Sequence, residues 1–151
     1  MLADRTFGAD QTQLRSGPVI PVSGNGDLNR KSKGHKDLVV WQRAIDMVVA
    51  VHALTAEFPR TVRFSLSDQM SRAAISVPSN IAEGYGRRTT GEFRQSLGIA
   101  RGENNELETQ LIIAKRLGFG SQEKLAQAEG LNADVGRLLH AYMQSVERKE
   151  K

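Results

Sequence analysis

The side chains with the clearest chemical capacity are arginines. Arg60, Arg63, Arg72, Arg87, Arg88, Arg94 and Arg101 fall within residues 60–101, which contain no lysine and three carboxylates, Asp68, Glu83 and Glu92. That block is +4, whereas residues 103–147 carry four basic and seven acidic groups and are −3. A guanidinium presents a rigid fork of donors that matches phosphate oxygens in pairs. Arg94 and Arg101 are seven apart, so on a helix they share a face with about 10 Å between them. Arg87 and Arg88 precede them in a turn-forming stretch. The candidate nucleic-acid-binding set is therefore Arg72, Arg87, Arg88, Arg94 and Arg101. Phosphate contacts of this kind give affinity without reading bases. The competing reading pairs the same arginines with Glu83, Glu92 and Glu108. Tyr85 is the one aromatic near the set that could stack on a base.

Other chemistries find no support. With no cysteine among 151 residues, disulfides, thiolate metal sites and cysteine nucleophiles are excluded. None of His35, His52 and His140 has the Glu three residues earlier that carboxylate-bridged metal bundles use. Gly86-Arg87-Arg88-Thr89-Thr90-Gly91 has the glycine spacing of a phosphate loop, but Glu92 stands where lysine is required. Glu103, Glu106 and Glu108 read as a solvated acidic face. No motif frames a serine as a nucleophile. We expect no catalytic residues, no cofactor and no metal: the chain is read as a non-enzyme. No run approaches the roughly 18 apolar residues of a membrane span, and the first residues lack a secretory core, which makes the cytoplasm the expected compartment.

The elements that must position the arginines are helices. From Asp37 onwards apolar residues recur at three- and four-residue steps. Asp37 is the expected cap of a first helix, 38–58, with Leu38, Trp41, Ile45, Val48 and His52 as its core face and Pro59 as its stop. Ser65–Asp68 resembles a capping box opening a second helix, 66–84, with Leu66, Met70, Ala73, Val77 and Ile81 inward. Pro78 inside it predicts a kink near Ala74, and Gly84 and Gly86 are its expected terminators. Thr89-Thr90-Gly91-Glu92 is a full capping box for a third helix, 90–117, carrying Phe93, Leu97, Ala100, Asn104, Leu107, Leu111 and Ala114. Gly118 is its left-handed stop, with Phe119 folding back. Ser121 caps a fourth helix, 122–147, bearing Leu125, Ala128, Leu131, Val135, Leu138, Tyr142 and Val146. The expected fold is all-α, an antiparallel up-down four-helix bundle over 37–148.

The first helix has a second apolar stripe, Val40, Met47, Val51, Leu54 and Phe58. Ile99 and Ile113, with Leu117, lie off the main seam of the third. Taken as surface, these form a candidate oligomer interface, because contiguous exposed apolar area marks a partner. Residues 1–36 differ from the rest. They hold five of 14 glycines and two of four prolines, are +3, and have no apolar period, so they read as a disordered basic tail. Its Arg30–Lys36 cluster is either a phosphate contact or a solvated linker.

The stretches Asp37–Ala44 (Asp-Leu-Val-Val-Trp-Gln-Arg-Ala), Gln69–Arg87 around Val77-Pro78-Ser79-Asn80-Ile81-Ala82-Glu83-Gly84, Glu92-Phe93, Ile99–Gly102 and Glu106–Leu111 resemble the bacterial four helix bundle protein family, also called the 23S rRNA intervening-sequence protein family. The resemblance covers roughly 36–140 and leaves the tail outside. It implies a small helical subunit in a homopentamer, with no catalytic set. A more distant similarity, to the accessory variability determinant of diversity-generating retroelements, implies a basic pentamer binding nucleic acid and a reverse transcriptase. Together these suggest a non-enzymatic ring scaffold binding nucleic acid, RNA favoured. The alternative is an accessory module docking on a partner enzyme without nucleic acid. One departure stands out: Asn104 occupies a position where the family usually has an apolar residue.

Overall fold

A computed structural model describes residues 33–149. Residues 1–32, most of the expected tail, lie outside the described residues. Four α-helices follow in order: α1 Val39–Thr55, α2 Asp68–Tyr85, α3 Thr90–Leu117 and α4 Gln122–Lys149. Each packs on its sequence neighbours, and α4 closes the square against α1. The result is the antiparallel four-helix bundle. Its core holds Met47, Leu54, Met70, Ile81, Leu97, Leu107, Leu111 and Leu139, all at or below 1% exposure.

The start of α3 follows the sequence closely. Thr89 accepts from the Glu92 amide while the Glu92 carboxylate accepts from the Thr89 amide, a complete capping box. Gly118 ends the helix at φ 71°, and the Phe119 amide closes back on the Ala114 carbonyl. Ser121 accepts from the Lys124 amide to start α4.

Three local expectations are corrected. Asp37 does not cap α1; it lies in a 3-10 turn, His35–Asp37, and its carboxylate accepts from the Lys33 amide, leaving Leu38 as a cap without a side-chain bond. No capping box forms at Ser65–Asp68. Ser65 instead donates to the Val62 carbonyl inside a π-helical turn, Arg63–Ser67, that leads directly into α2. Gly84 is not a terminator. It is buried inside α2, where an added Cβ would stand 2.6 Å from Ser96 Cβ and 2.9 Å from Phe93 Cδ2. It is there to bring α2 close to α3. Pro78 is buried within α2, which runs unbroken from Asp68 to Tyr85.

The largest correction concerns α1. Val40, Met47, Val51, Leu54 and Phe58, assigned to the oligomer interface, are inside the subunit core at 8% exposure or less. They cannot line a surface between folded subunits. The stripe assigned to the core is only partly inside: Ile45 and His52 are exposed, whereas Leu38, Trp41 and Val48 are half-buried and pack against the edge of the core. The physical reason is that α1 is apolar on nearly every side, and the bundle buries one side fully and the next only in part. Ile99 and Ile113 do lie on the surface, 48% and 42% exposed.

Candidate nucleic-acid interface

The arginines are positioned by the α2–α3 connection and the first half of α3. α2 ends at Tyr85, Gly86 follows with its amide bonded back to Ala82 and Glu83, and Arg87 donates its own amide to the Gly84 carbonyl. Arg87 and Arg88 thus sit on a short, hydrogen-bonded turn and not on a loose loop. Both are exposed.

Their electrostatic situations differ. The Arg87 guanidinium is bound to the Glu83 carboxylate one helical turn back, so much of its charge is answered within the chain. Arg94 is half-buried and engaged by neighbouring groups. Arg72, Arg88 and Arg101 are exposed and make no ion pair among the described residues. Within the candidate set, charge available to a polyanion therefore concentrates on these three.

They do not form one patch. Arg94, Arg101, Glu108 and Lys115 follow at seven-residue steps and share a flank of α3. That flank faces α4, because Glu108 and Lys115 line a cleft of about 570 Å³ whose opposite wall includes Glu129, Arg137 and His140. The Arg87–Arg88 turn leads into this row. Arg72 lies opposite the buried face of α2, on a different side of the bundle. Arg88 thus stands in the turn that leads to the flank carrying Arg101, and Arg72 stands apart.

The cleft beside that run is mixed in charge. Lys115 reaches Glu129 across it at 3.5 Å, and Arg137 is bound to Asp134. Its floor includes the buried pair Asn104 and Asn132. No nucleophile and base stand together here. Among the described residues no group of three or more His, Asp or Glu could hold a metal, and no helix is long and apolar enough to cross a membrane.

Elsewhere, burial and the neighbouring Glu106 raise the Glu103 carboxyl above its ordinary range. Tyr85 is not a free stacking surface. It is half-buried and meets Phe93 edge-on at 6.2 Å, and Phe93 meets Tyr142 at 5.6 Å. Burial, then Tyr85, raises the Tyr142 phenol, which stays protonated at neutral pH.

The sequence reading overlooked the most exposed aromatic among the described residues. Phe64, 85% exposed, stands in the turn between α1 and α2 with the Arg63 guanidinium 5.6 Å from its ring centre. The available signal was the alternation Val62-Phe64-Leu66 within residues 60–67, which bear two arginines and no acid.

The fold has a solved counterpart. A protein of unknown function from the S23 ribosomal protein family of Bacteroides thetaiotaomicron superposes with a TM-score of 0.65 at 24% identity, over 72% of this chain and 98% of the other. No curated protein matches the sequence. The family model for the 23S rRNA-intervening sequence protein matches residues 36–141, spanning all of α1, α2 and α3 and most of α4. The chain belongs to the 23S rRNA-intervening sequence protein family.

Proposed function

We propose that this chain is a non-enzymatic oligomeric scaffold that binds nucleic acid, RNA in preference, through arginines repeated around a ring of subunits. The observation that carries the reading is the pair Arg88 and Arg101, exposed and without a carboxylate partner among the described residues, on the turn and flank that also carry Arg87 and Arg94. One such run is a weak site on a body of low net charge. Repetition on one assembly multiplies weak contacts through effective concentration. Exposed Val39, Ile45 and Val49 on α1, Ile75 on α2 and Ile99 and Ile113 on α3 supply apolar surface for assembly. The family resemblance suggests five subunits.

Binding is tested by titrating the full chain against labelled RNA and DNA at several salt concentrations. Replacing Arg88 and Arg101 with Ala weakens binding to all sequences alike. Each lost phosphate contact lowers the slope of log affinity on log salt by roughly 0.7 to 0.9. Light scattering should return about five times the 16.6 kDa subunit mass. A monomer at micromolar concentration overturns the ring. Failure to bind any RNA or DNA at low salt overturns the nucleic-acid reading. It would favour a docking module that meets a protein partner, a reverse transcriptase for example, through the same apolar surface.

A further inference from the structure

The turn between α1 and α2 is built to present one aromatic ring. A 3-10 turn, Arg60–Val62, runs directly into the π-helical turn Arg63–Ser67, whose last carbonyl-bonded amide is that of Asp68. Val62 and Leu66 are half-buried against the core and fix the turn to the bundle. Phe64, midway between them, points the other way and is the most exposed large apolar residue described, at 85%. The other described phenylalanines, Phe58, Phe93 and Phe119, are buried or half-buried and each meets another ring. π-helical turns are uncommon and concentrate at functional positions.

The surroundings of the ring are cationic. The Arg63 guanidinium lies over it at 5.6 Å. Arg60 is exposed three residues earlier, and neither arginine makes an ion pair among the described residues. Thr61 and Ser65, also exposed, add hydroxyls. An aromatic face, a guanidinium already stacked on it and a second free guanidinium are the parts that recognise an unpaired base and its flanking phosphates. A duplex keeps its bases stacked and offers the ring nothing.

We infer that Phe64, with Arg60 and Arg63, is a stacking platform for single-stranded nucleic acid. It lies at the opposite end of the bundle from the Arg87–Arg88 turn, because α2 runs its full length between them. The inference rests on the nucleic-acid reading above but on different residues. It makes the platform the element that distinguishes single from double strands, while Arg88 and Arg101 respond to phosphate in either.

The test is fluorescence polarisation of the full chain with a labelled oligo(U) of about ten nucleotides, within the span of known single-strand sites, and with a duplex of equal length. Phe64→Ala should weaken oligo(U) binding by about 5- to 150-fold, the range for one lost stacked base, and leave duplex binding unchanged. Phe64→Trp should restore it. Thermal melting of Phe64→Ala should match the unsubstituted chain, since the ring is outside the core. Equal oligo(U) affinity of Phe64→Ala and the unsubstituted chain overturns the platform while leaving the arginine reading intact. Normal binding by the Arg88 and Arg101 double variant, with loss in Phe64→Ala, overturns the arginine site and supports the platform. No binding by the intact chain overturns both; Phe64-dependent sedimentation with anionic phospholipid vesicles in place of oligo(U) overturns the platform alone.

Discussion

Asn104 and Asn132 clasp each other across the α3–α4 interface. The Asn132 amide donates to both the backbone carbonyl of Asn104, at 2.9 Å, and its side-chain oxygen, at 3.0 Å; the Asn104 amide donates to the backbone carbonyl of Asn132 at 3.1 Å. Both residues are at most 4% exposed. Each satisfies the other's backbone as well as its side chain, so the polarity of this layer is internal to it. The two helices match in only one register if the clasp is to close.

Asn104→Leu should therefore destabilise the chain, although leucine looks suited to a core seam. It removes the side-chain oxygen that the buried Asn132 amide donates to and the amide that donates to the Asn132 carbonyl, leaving the backbone carbonyl of residue 104 as the remaining acceptor, at a cost of about 1 to 3 kcal/mol. The double variant, with Leu at 104 and 132, should recover most of that loss. Denaturant unfolding of the three proteins checks this; equal stability of Asn104→Leu and the parent would show that the clasp contributes nothing.

The reversal of α1 predicts opposite results from two neighbouring substitutions. Met47→Glu puts a carboxylate at a site with 0% exposure and should cost about 4 kcal/mol or more, enough to abolish the helical circular dichroism signal. Val49→Glu changes a residue that is 62% exposed and should move stability by no more than about 0.5 kcal/mol. If the outer stripe of α1 joins subunits, Val49→Glu also lowers the mass seen by light scattering without loss of helicity.

Gly84→Ala sets two effects against each other. Alanine in a helix interior gains about 1 kcal/mol over glycine. The new methyl would stand 2.6 Å from Ser96 Cβ, and overpacking of this kind costs about 1 to 3 kcal/mol. The contact is Cβ to Cβ, close to both backbones, so the clash wins and the melting temperature falls. Ser96→Gly in the same chain should return part of the loss.

Glu57 ties the end of α1 to the start of α4. Its carboxylate accepts from Lys124 Nζ at 2.7 Å and from the Ser121 amide at 2.8 Å. These bonds, the Lys124 bond foremost, hold its pKa below the ordinary carboxylate value. A carboxyl lowered by folding contributes stability above its unfolded pKa and loses it as pH falls through the folded one. Glu57→Gln should therefore be the less stable protein at neutral pH, with the gap closing on acidification. Because the pair is exposed, added salt should shrink the same gap.

The two long helices could be read from the sequence because each carries one clear apolar face. In α3, Leu97, Ala100, Asn104, Leu107, Leu111 and Ala114 are all buried as the spacing predicts. α1 defeated the same reasoning. Both of its stripes repeat at three- and four-residue steps, and periodicity alone does not choose between them. The discriminating feature was present: the run Val40, Ala44, Met47, Val51, Leu54, Phe58 contains no polar residue, whereas the other stripe reaches His52. The arginines were legible as residue types, but their grouping was not, because the side of the bundle each occupies depends on how α2, α3 and α4 pack. Phe64 was hidden by its setting, since a lone aromatic in a short connection has no period to reveal which way it points.

The close approach of Gly84 to Ser96 also bears on the order in which the bundle assembles. The two positions are twelve residues apart, joined by the tight Gly86–Thr89 turn and the Thr89–Glu92 box. Closing so short a loop takes little chain entropy, whereas α1 must find α4 across most of the chain. α2 and α3 are thus placed to form the folding nucleus, with α1 and α4 condensing on it afterwards. The glycine that lets two helices touch in the finished bundle also lets the first productive encounter happen early.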